Sequence, residues 1–69
     1  MVLTQVQTNG KYVIHAVRGD SSVRLHLEGM GFVPGTKLSV LSRVGQGVIV
    51  KVRDSKVALD ANLAQCILV

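Results

Sequence analysis

The corner at residues 31–35, Gly-x-x-Pro-Gly, constrains the fold of this chain most, because it follows directly on a helical pattern. A residue just past a helix end often needs a positive φ, which glycine adopts without steric cost, so Gly31 is predicted to end the helix. Pro34 fixes its own φ, and Gly35 can then turn the chain into a strand. These three residues are predicted to shape the fold by aiming a helix at a sheet.

The helical pattern before the corner is short and one-sided. Val23, Leu27 and Met30 are spaced i, i+4 and i+7, which places them on one helical face. Asp20 and the two serines after it offer side-chain oxygens that can cap the helix N-terminus. We therefore expect a short helix that buries Leu27 and Met30.

The rest of the chain is typical of a small β protein. Its 69 residues predict a single domain, residues 1–69, with residues 1–9 as a loosely held start. Valine is abundant and aromatic residues are scarce, which favours a stiff sheet core. Alternation predicts strands at residues 11–18, 36–44, 48–53, 56–59 and 66–69.

Turn signals separate these strands. Gly45-Gln46-Gly47 and Asp54-Ser55 are predicted hairpin turns, and Asp60 is predicted to cap a helical turn over residues 61–64. In residues 48–53 the valines share one face, predicted to be inward, while Lys51 and Arg53 share the other. Five short strands predict a small barrel, since pairing the first strand with the last removes exposed edges.

Charge and apolar runs limit the function classes. The formal net charge of +4 makes an acidic partner plausible, but the basic residues are spread over every segment and few aromatic residues could stack on bases. Nucleic-acid binding is therefore an alternative that we do not favour. No apolar run approaches the roughly 20 residues needed to cross a bilayer. The first residues lack a signal-peptide pattern, and the single Cys66 fits a reducing compartment, so we expect a cytoplasmic protein.

Residues for catalysis or metal binding are few. Cys66 with His15 or His26 is the only thiol and imidazole set, and a strand position favours a half-buried, unreactive thiol. No Cys-x-x-Cys, His-x-x-x-His or clustered carboxylate spacing is present. We predict no catalytic residue, no cofactor and no tight metal site in a monomer. A weak or subunit-bridging divalent metal, and with it a metal-sensing role, stays open.

Taken in order, these motifs resemble the FeoA family, small accessory proteins of bacterial ferrous iron transport. The resemblance covers roughly residues 10–69. Its main motif is Arg24-x-x-Leu27-x-x-Met30-Gly31-Phe32-x-Pro34-Gly35-x-x-Leu38-x-Val40, and Gly45, Val57-Ala58-Leu59 and Ala64-x-x-Ile67-x-Val69 follow at the expected places. It implies an SH3-like fold, here a mostly β, five-stranded barrel with one short helix after the first strand and a helical turn before the last.

The resemblance also implies a role without catalysis. FeoA-like proteins are thought to dock on FeoB, the ferrous iron permease, on its cytosolic side, so we expect a monomer or weak oligomer that reaches the membrane only through this partner. Arg24 and Phe32 are the tentative partner-binding residues, and Phe32 qualifies only if it is exposed, since the alternative is burial in the core. The docking surface and the sign of any effect on transport are left open.

Two departures from the family pattern concern function. The chain has Gly45-Gln46-Gly47 where the family hairpin often has Gly-Asp-Pro. It also has Asp60 where the family frequently has Arg after the fourth strand. A partner contact made through that arginine is therefore in doubt here.

Overall fold

The computed structural model describes all of residues 1–69. A single turn of 3₁₀ helix precedes six short strands and two α-helices. The 3₁₀ turn is Leu3–Gln5, and the other elements are β1 (Lys11–Val13), β2 (Ala16–Val17), α1 (Ser21–Gly29), β3 (Lys37–Val44), β4 (Gly47–Val52), β5 (Ser55–Leu59), α2 (Ala61–Ala64) and β6 (Ile67–Leu68).

The strands form two antiparallel sheets. One has four strands in the order β1-β3-β4-β5, and the other pairs β2 with β6. The prediction of a mostly β domain with one helix after the first strand and a helical turn before the last is confirmed. Two details differ from the prediction. There are six strands instead of five, and the four-stranded sheet does not close into a barrel.

The extra strand arises because the predicted first strand, residues 11–18, divides between the two sheets. β1 pairs with β3, and Ile14 continues that contact, since its N–H donates to the Thr36 carbonyl (2.9 Å). At His15 the partner changes, and its N–H donates to the Leu68 carbonyl (2.7 Å) of β6. A strand that changes sheets also explains why this segment has apolar residues on both of its faces.

Helix α1 has the predicted cap at its start. The Asp20 carboxylate accepts hydrogen bonds from the Val23 backbone N–H (3.0 Å) and from the Ser22 hydroxyl (2.7 Å). These two hydrogen bonds, the backbone one first, lower the pKa of Asp20 below its ordinary value. The cap fixes the first residue of the helix, as the sequence predicts.

The end of α1 is a Schellman motif built on Gly31. This glycine has φ +102°, as predicted, and its N–H donates to the Glu28 carbonyl (2.9 Å). The N–H of Phe32 donates to the Leu27 carbonyl (3.0 Å), and the side chains of Leu27 and Phe32 are both fully buried. This pairing of two hydrogen bonds with one apolar contact is what ends the helix.

The corner after the helix is a type II turn. Pro34 and Gly35 are its central residues, Gly35 has φ +90°, and the Thr36 N–H donates to the Val33 carbonyl (3.1 Å). This turn type prefers proline first and requires a positive φ second. The corner therefore delivers the chain to β3, which begins at Lys37, one residue later than predicted.

Both hairpin turns have two residues, and each is shifted from the prediction. The first turn is Gly45 and Gln46, because Val44 pairs with Gly47, which belongs to β4. The second is Arg53 and Asp54 in place of Asp54 and Ser55, because Val52 pairs with Ser55. Gly45 (φ +59°) and Arg53 (φ +54°) both take a positive φ at the first turn position. Arginine is not a residue type that predicts a positive φ, so the sequence does not indicate the position of the second turn.

The core lies between the two sheets and α1. Its side chains are Leu3, Val6, Ile14, Leu27, Phe32, Leu38, Val40, Val48, Val50, Val52, Leu59, Ala64 and Ile67. The inward valines of β4 are confirmed, and Val23 and Met30 pack against the core as partly buried residues.

The first residues pack against the rest of the domain. Leu3 and Val6 belong to the core, and the Arg43 guanidinium donates to the carbonyls of Thr4 and Val6, both at 2.6 Å. The chain start also pairs with β6, where Val2 and Leu68 form an antiparallel bridge. No local pattern in residues 1–9 indicates these hydrogen bonds, because a distant arginine, on β3, supplies the donors.

Helix α2 explains the aspartate at position 60. The Asp60 carboxylate accepts a hydrogen bond from the Leu63 N–H (2.9 Å), so it caps the helix as predicted. Cys66 lies in the turn just before β6, half-buried, instead of in the last strand. Its thiol donates a hydrogen bond to the Asn62 carbonyl of α2 (3.4 Å).

Candidate interaction surface

The outer face of the four-stranded sheet gathers most of the basic side chains. On β4, Val48, Val50 and Val52 point into the core, so Lys51 points outward. Arg53, in the turn after β4, is exposed and lines the same surface as Lys51. Three outward residues of the neighbouring strands, Lys11, Lys37 and Lys56, are also basic and exposed. We call this set the basic face, and its members are Lys11, Lys37, Lys51, Arg53 and Lys56.

The strand register sets these cations side by side. Lys11 pairs with Ser39, Ser39 with Lys51, and Lys51 with Lys56, so one row crosses all four strands. Directly paired residues on one face have Cβ atoms about 5 Å apart. Lys51 and Lys56 are directly paired in this way, and Ser39 separates Lys11 from Lys51. The like charges of Lys51 and Lys56 repel each other, so an anion bound beside them would be stabilising.

The basic face holds the whole net charge of the chain. It contains five of the eight basic residues, with only Asp54 beside them. The other three basic residues, Arg18, Arg24 and Arg43, are balanced by Asp20, Glu28 and Asp60. The formal charge of +4 is therefore a property of one surface, while the rest of the molecule is neutral on balance.

The surface between these side chains is an open groove of about 620 Å³ along β1, β3 and β4. Six of its nine lining residues are polar or charged, and the apolar side chain most exposed on it is Val13, at 50%. Tyr12 is the one aromatic lining residue, and it is half-buried. Such a surface suits broad electrostatic contact better than the capture of a small molecule.

Arg53 links this face to the end of α1. Its side chain covers Gly31, so that a Cβ added to Gly31 would lie 3.4 Å from the Arg53 Cδ and Nε atoms. A cation at the end of a helix interacts favourably with the helix dipole. This contact places the basic face next to the corner that the sequence marks most strongly.

The structure separates the two predicted partner-binding residues. Arg24 is exposed on α1 and remains a candidate. Phe32 is fully buried, so the condition for its interface role is not met, and the Schellman motif that turns it inward is the physical reason. The shaping residues Leu27, Met30, Gly31, Pro34 and Gly35 form the helix end and the turn after it.

The candidate metal ligands do not come together. His15 lies between β1 and β2, His26 lies on α1, and both are exposed, whereas Cys66 is half-buried before β6. No three His, Cys, Asp or Glu residues lie close enough to hold one metal ion.

With the fold and the surface described, comparison with known proteins identifies the family. The family model for the FeoA domain matches residues 1–69. The chain belongs to the FeoA family. The match includes residues 1–9, which the motif-based resemblance did not cover, and which pack against the rest of this FeoA domain.

Solved structures support the assignment. An iron uptake regulatory protein, FeoA, is 26% identical with a TM-score of 0.84, over 94% of this chain and 86% of that one. FeoA from Chlorobium tepidum is also 26% identical with a TM-score of 0.87, over 99% of this chain and 67% of that one. No match was found among curated protein sequences.

A third FeoA structure names the fold. FeoA from Stenotrophomonas maltophilia, complexed with zinc and described as an SH3 domain protein, is 20% identical with a TM-score of 0.86. The alignment covers 99% of this chain and 87% of that one. The SH3-like fold predicted from the resemblance is confirmed, and no helix of this FeoA-family chain is long and apolar enough to span a bilayer.

Sequence reasoning missed the basic face. The lysines are scattered along the chain, and only the register of four strands brings them to one surface. A partial signal was present in residues 48–53, where the face opposite the valines carries Lys51 and Arg53. Extending that alternation to the neighbouring strands would have suggested a basic surface, but not the pairing that forms the row.

Proposed function

We propose that this chain is a non-enzymatic accessory protein of ferrous iron uptake that acts in the cytoplasm and docks on the cytosolic side of a FeoB-type permease. The observation that carries the proposal is the FeoA family match over residues 1–69. A related structure, from Stenotrophomonas maltophilia, is described as possibly acting as a ferrous iron transport activating factor. The scarcity of nucleophile and base pairs agrees with a binding role.

The outer side of α1 is the surface that we assign to the permease. Leu25 is 66% exposed, the most exposed large apolar side chain of the chain, and Arg24 stands next to it. Both line a shallow cleft with Ser21 and Glu28. The exposed leucine offers an apolar contact, and the arginine beside it is a residue type that is enriched at interfaces.

The test is binding of the purified chain to the cytosolic domain of its own organism's permease, at physiological salt, with and without GTP. We expect saturable binding that Leu25→Ser and Arg24→Glu each weaken at least fivefold. Arg18→Glu is the matched control, because it makes the same charge change at an exposed site outside α1. Equal weakening by Arg18→Glu would remove α1 from the proposal.

Transport provides the second test. Cells that lack this chain are expected to take up ferrous iron at an altered rate, and the Leu25→Ser variant is expected to fail to restore it. Unchanged uptake in the deletion strain, under conditions where the permease is the main route, would contradict the accessory role itself.

The proposal needs no cofactor in this chain. A divalent metal would enter only as a weak ligand between copies, through the exposed histidines or Cys66. Titration with zinc or ferrous ion is then expected to give no stoichiometric binding to the monomer. A tight one-to-one complex that is lost when both His15 and His26 are replaced would favour the metal-sensing alternative.

A further inference from the structure

We propose that the basic face binds the anionic headgroup surface of a membrane, holding the chain reversibly against the leaflet. The occupant of this face is thus acidic phospholipid. The face is separate from the α1 surface assigned to the permease, so the two contacts can be tested, and can fail, independently.

The distribution of charge is the first argument. All of the formal excess of +4 lies on one side, and the remaining surface is neutral on balance. A charged surface of acidic lipid attracts such a molecule and also orients it, because only one side is drawn toward it.

The chemistry of the cations is the second argument. Four of the five are lysines, which act as compact point charges, while specific recognition of carboxylate or phosphate favours the planar fork of arginine. The one arginine, Arg53, lies against Gly31 at the end of α1. The face therefore suits many weak, non-directional contacts with headgroups better than a few directed contacts with a folded protein.

The missing aromatic residues argue against single-stranded nucleic acid as the occupant. Tyr12 is half-buried and its hydroxyl accepts a hydrogen bond from the Gln7 N–H (3.2 Å), while Phe32 is fully buried. Neither ring is free to stack on a base, which is how single strands are usually held on a basic groove. The basic face can therefore attract an anionic partner through its charge, but it offers no aromatic contact to bases.

The geometry predicts a peripheral attachment. Val13, at 50% exposure, is the main apolar side chain among the cations, and no helix could span the bilayer. Binding should then depend on charge alone, fall steeply as salt rises past the range where the Debye length is about 8 Å, and be fully reversible. A lysine near an anionic leaflet contributes about fivefold in binding.

The experiment is co-sedimentation of the full chain with vesicles of phosphatidylcholine, with and without phosphatidylglycerol at about a third of the lipid. We expect binding only to the anionic vesicles, and at least a tenfold loss of it when salt is raised from 50 to 300 mM, both concentrations chosen around the Debye argument. Binding to neutral vesicles of equal strength would overturn the proposal, as would no binding to anionic vesicles at low salt.

Two double variants separate the face from the net charge. Lys51→Gln with Lys56→Gln removes two neighbouring cations of the row, and Arg18→Gln with Arg24→Gln removes two exposed cations elsewhere. The first pair is expected to weaken vesicle binding about 25-fold and the second less than threefold. Equal losses would show that overall charge, and not this face, is responsible.

Two further measurements address the other anionic partners. Tighter binding to a single-stranded oligonucleotide than to anionic vesicles, at physiological salt, would assign the face to nucleic acid. Loss of permease-domain binding by the Lys51 and Lys56 pair in the absence of lipid would assign it to an acidic protein surface. Since both lysines are exposed, an unchanged circular dichroism spectrum and melting temperature are expected for the variant.

Discussion

The two faces of the four-stranded sheet are made by the same strands and have opposite compositions. On the inner face, Val48, Val50 and Val52 are almost completely buried, whereas Lys51, which lies between two of them, is exposed on the outer face. The side chains of the inner face are close-packed, so substitutions there are poorly tolerated. The side chains of the outer face are positioned only by the register in which the strands pair. In this chain stability and charge presentation thus occupy alternate residues of the same strand.

The sharpest way to break this comparison is to truncate neighbours on β3. Leu38→Ala removes a buried side chain and leaves a cavity, so we expect unfolding free energy to fall by about 3 kcal/mol. Lys37→Ala, one residue earlier on the outer face, is expected to change it by less than about 0.5 kcal/mol. Urea denaturation of both variants is the measurement. Similar losses of unfolding free energy would contradict the conclusion that the inner face supplies the stability and the outer face does not.

A second pair of variants tests the end of α1, where Gly31 lies between the Arg53 side chain and the buried Leu27 and Phe32. Gly31 has φ +102° beneath the Arg53 side chain, so Gly31→Ala is expected to cost about 1–2 kcal/mol. Gly29 is the last residue of α1, its φ is not positive and there is open space around it, so Gly29→Ala is expected to stabilise by up to about 0.5 kcal/mol. Thermal unfolding should show shifts of opposite sign, and a destabilised Gly29→Ala would point to an unrecognised constraint on the helix.

Substitutions of Asp60 are expected to change the unfolding free energy less, and they test whether this residue is a helix cap. Asp60→Ala removes the cap of α2 and is expected to cost about 1 kcal/mol, while Asp60→Asn keeps a capping oxygen and should be nearly neutral. Asp60→Arg, which restores the residue frequent in the family, should cost about as much as the alanine. If arginine were instead neutral for stability, the aspartate would not be acting as a cap here.

The smallest expected effect is the pH dependence that comes from the cap of α1. The hydrogen bonds from Val23 and Ser22 lower the pKa of Asp20 in the folded state below its unfolded value. The stabilisation is therefore complete above the unfolded pKa and is lost as pH falls through the folded pKa. Unfolding of the wild type and of Asp20→Asn, followed from pH 6 to pH 2.5, should converge at the acid end, because asparagine does not titrate. A constant difference over that range would mean that the carboxylate charge is unimportant.

Local signals predicted the elements of this fold well. The positions of α1, its cap, the positive φ of Gly31 and Gly35, and the inward valines all follow from residue chemistry within a few positions along the chain. The predicted hairpin turns are displaced by one residue, and in the second turn Arg53 takes a positive φ that its residue type does not predict. The sequence also did not predict the division of residues 11–18, which depends on a change of partner strand.

The candidate sites were predicted less well, because they depend on distant residues. Arg24 could be placed on an exposed helix face from its spacing, but the burial of Phe32 required knowing that the chain turns inward after Gly31. The anchoring of residues 1–9 depends on Arg43, which reaches the Thr4 and Val6 carbonyls from β3. No local pattern in the first residues indicates such a donor.

The sequence by itself determined the helix, its cap, the corner after it and the apolar face of each main strand, because these depend on backbone preferences and on the period of the side chains. Only the tertiary structure decided which strands are neighbours and in what register they pair. That register places Lys11, Lys51 and Lys56 in one row, and with Lys37 and Arg53 it concentrates the net charge on one surface. Charge adds up across space and not along the chain, so a scattered set of lysines became a single basic face only on folding.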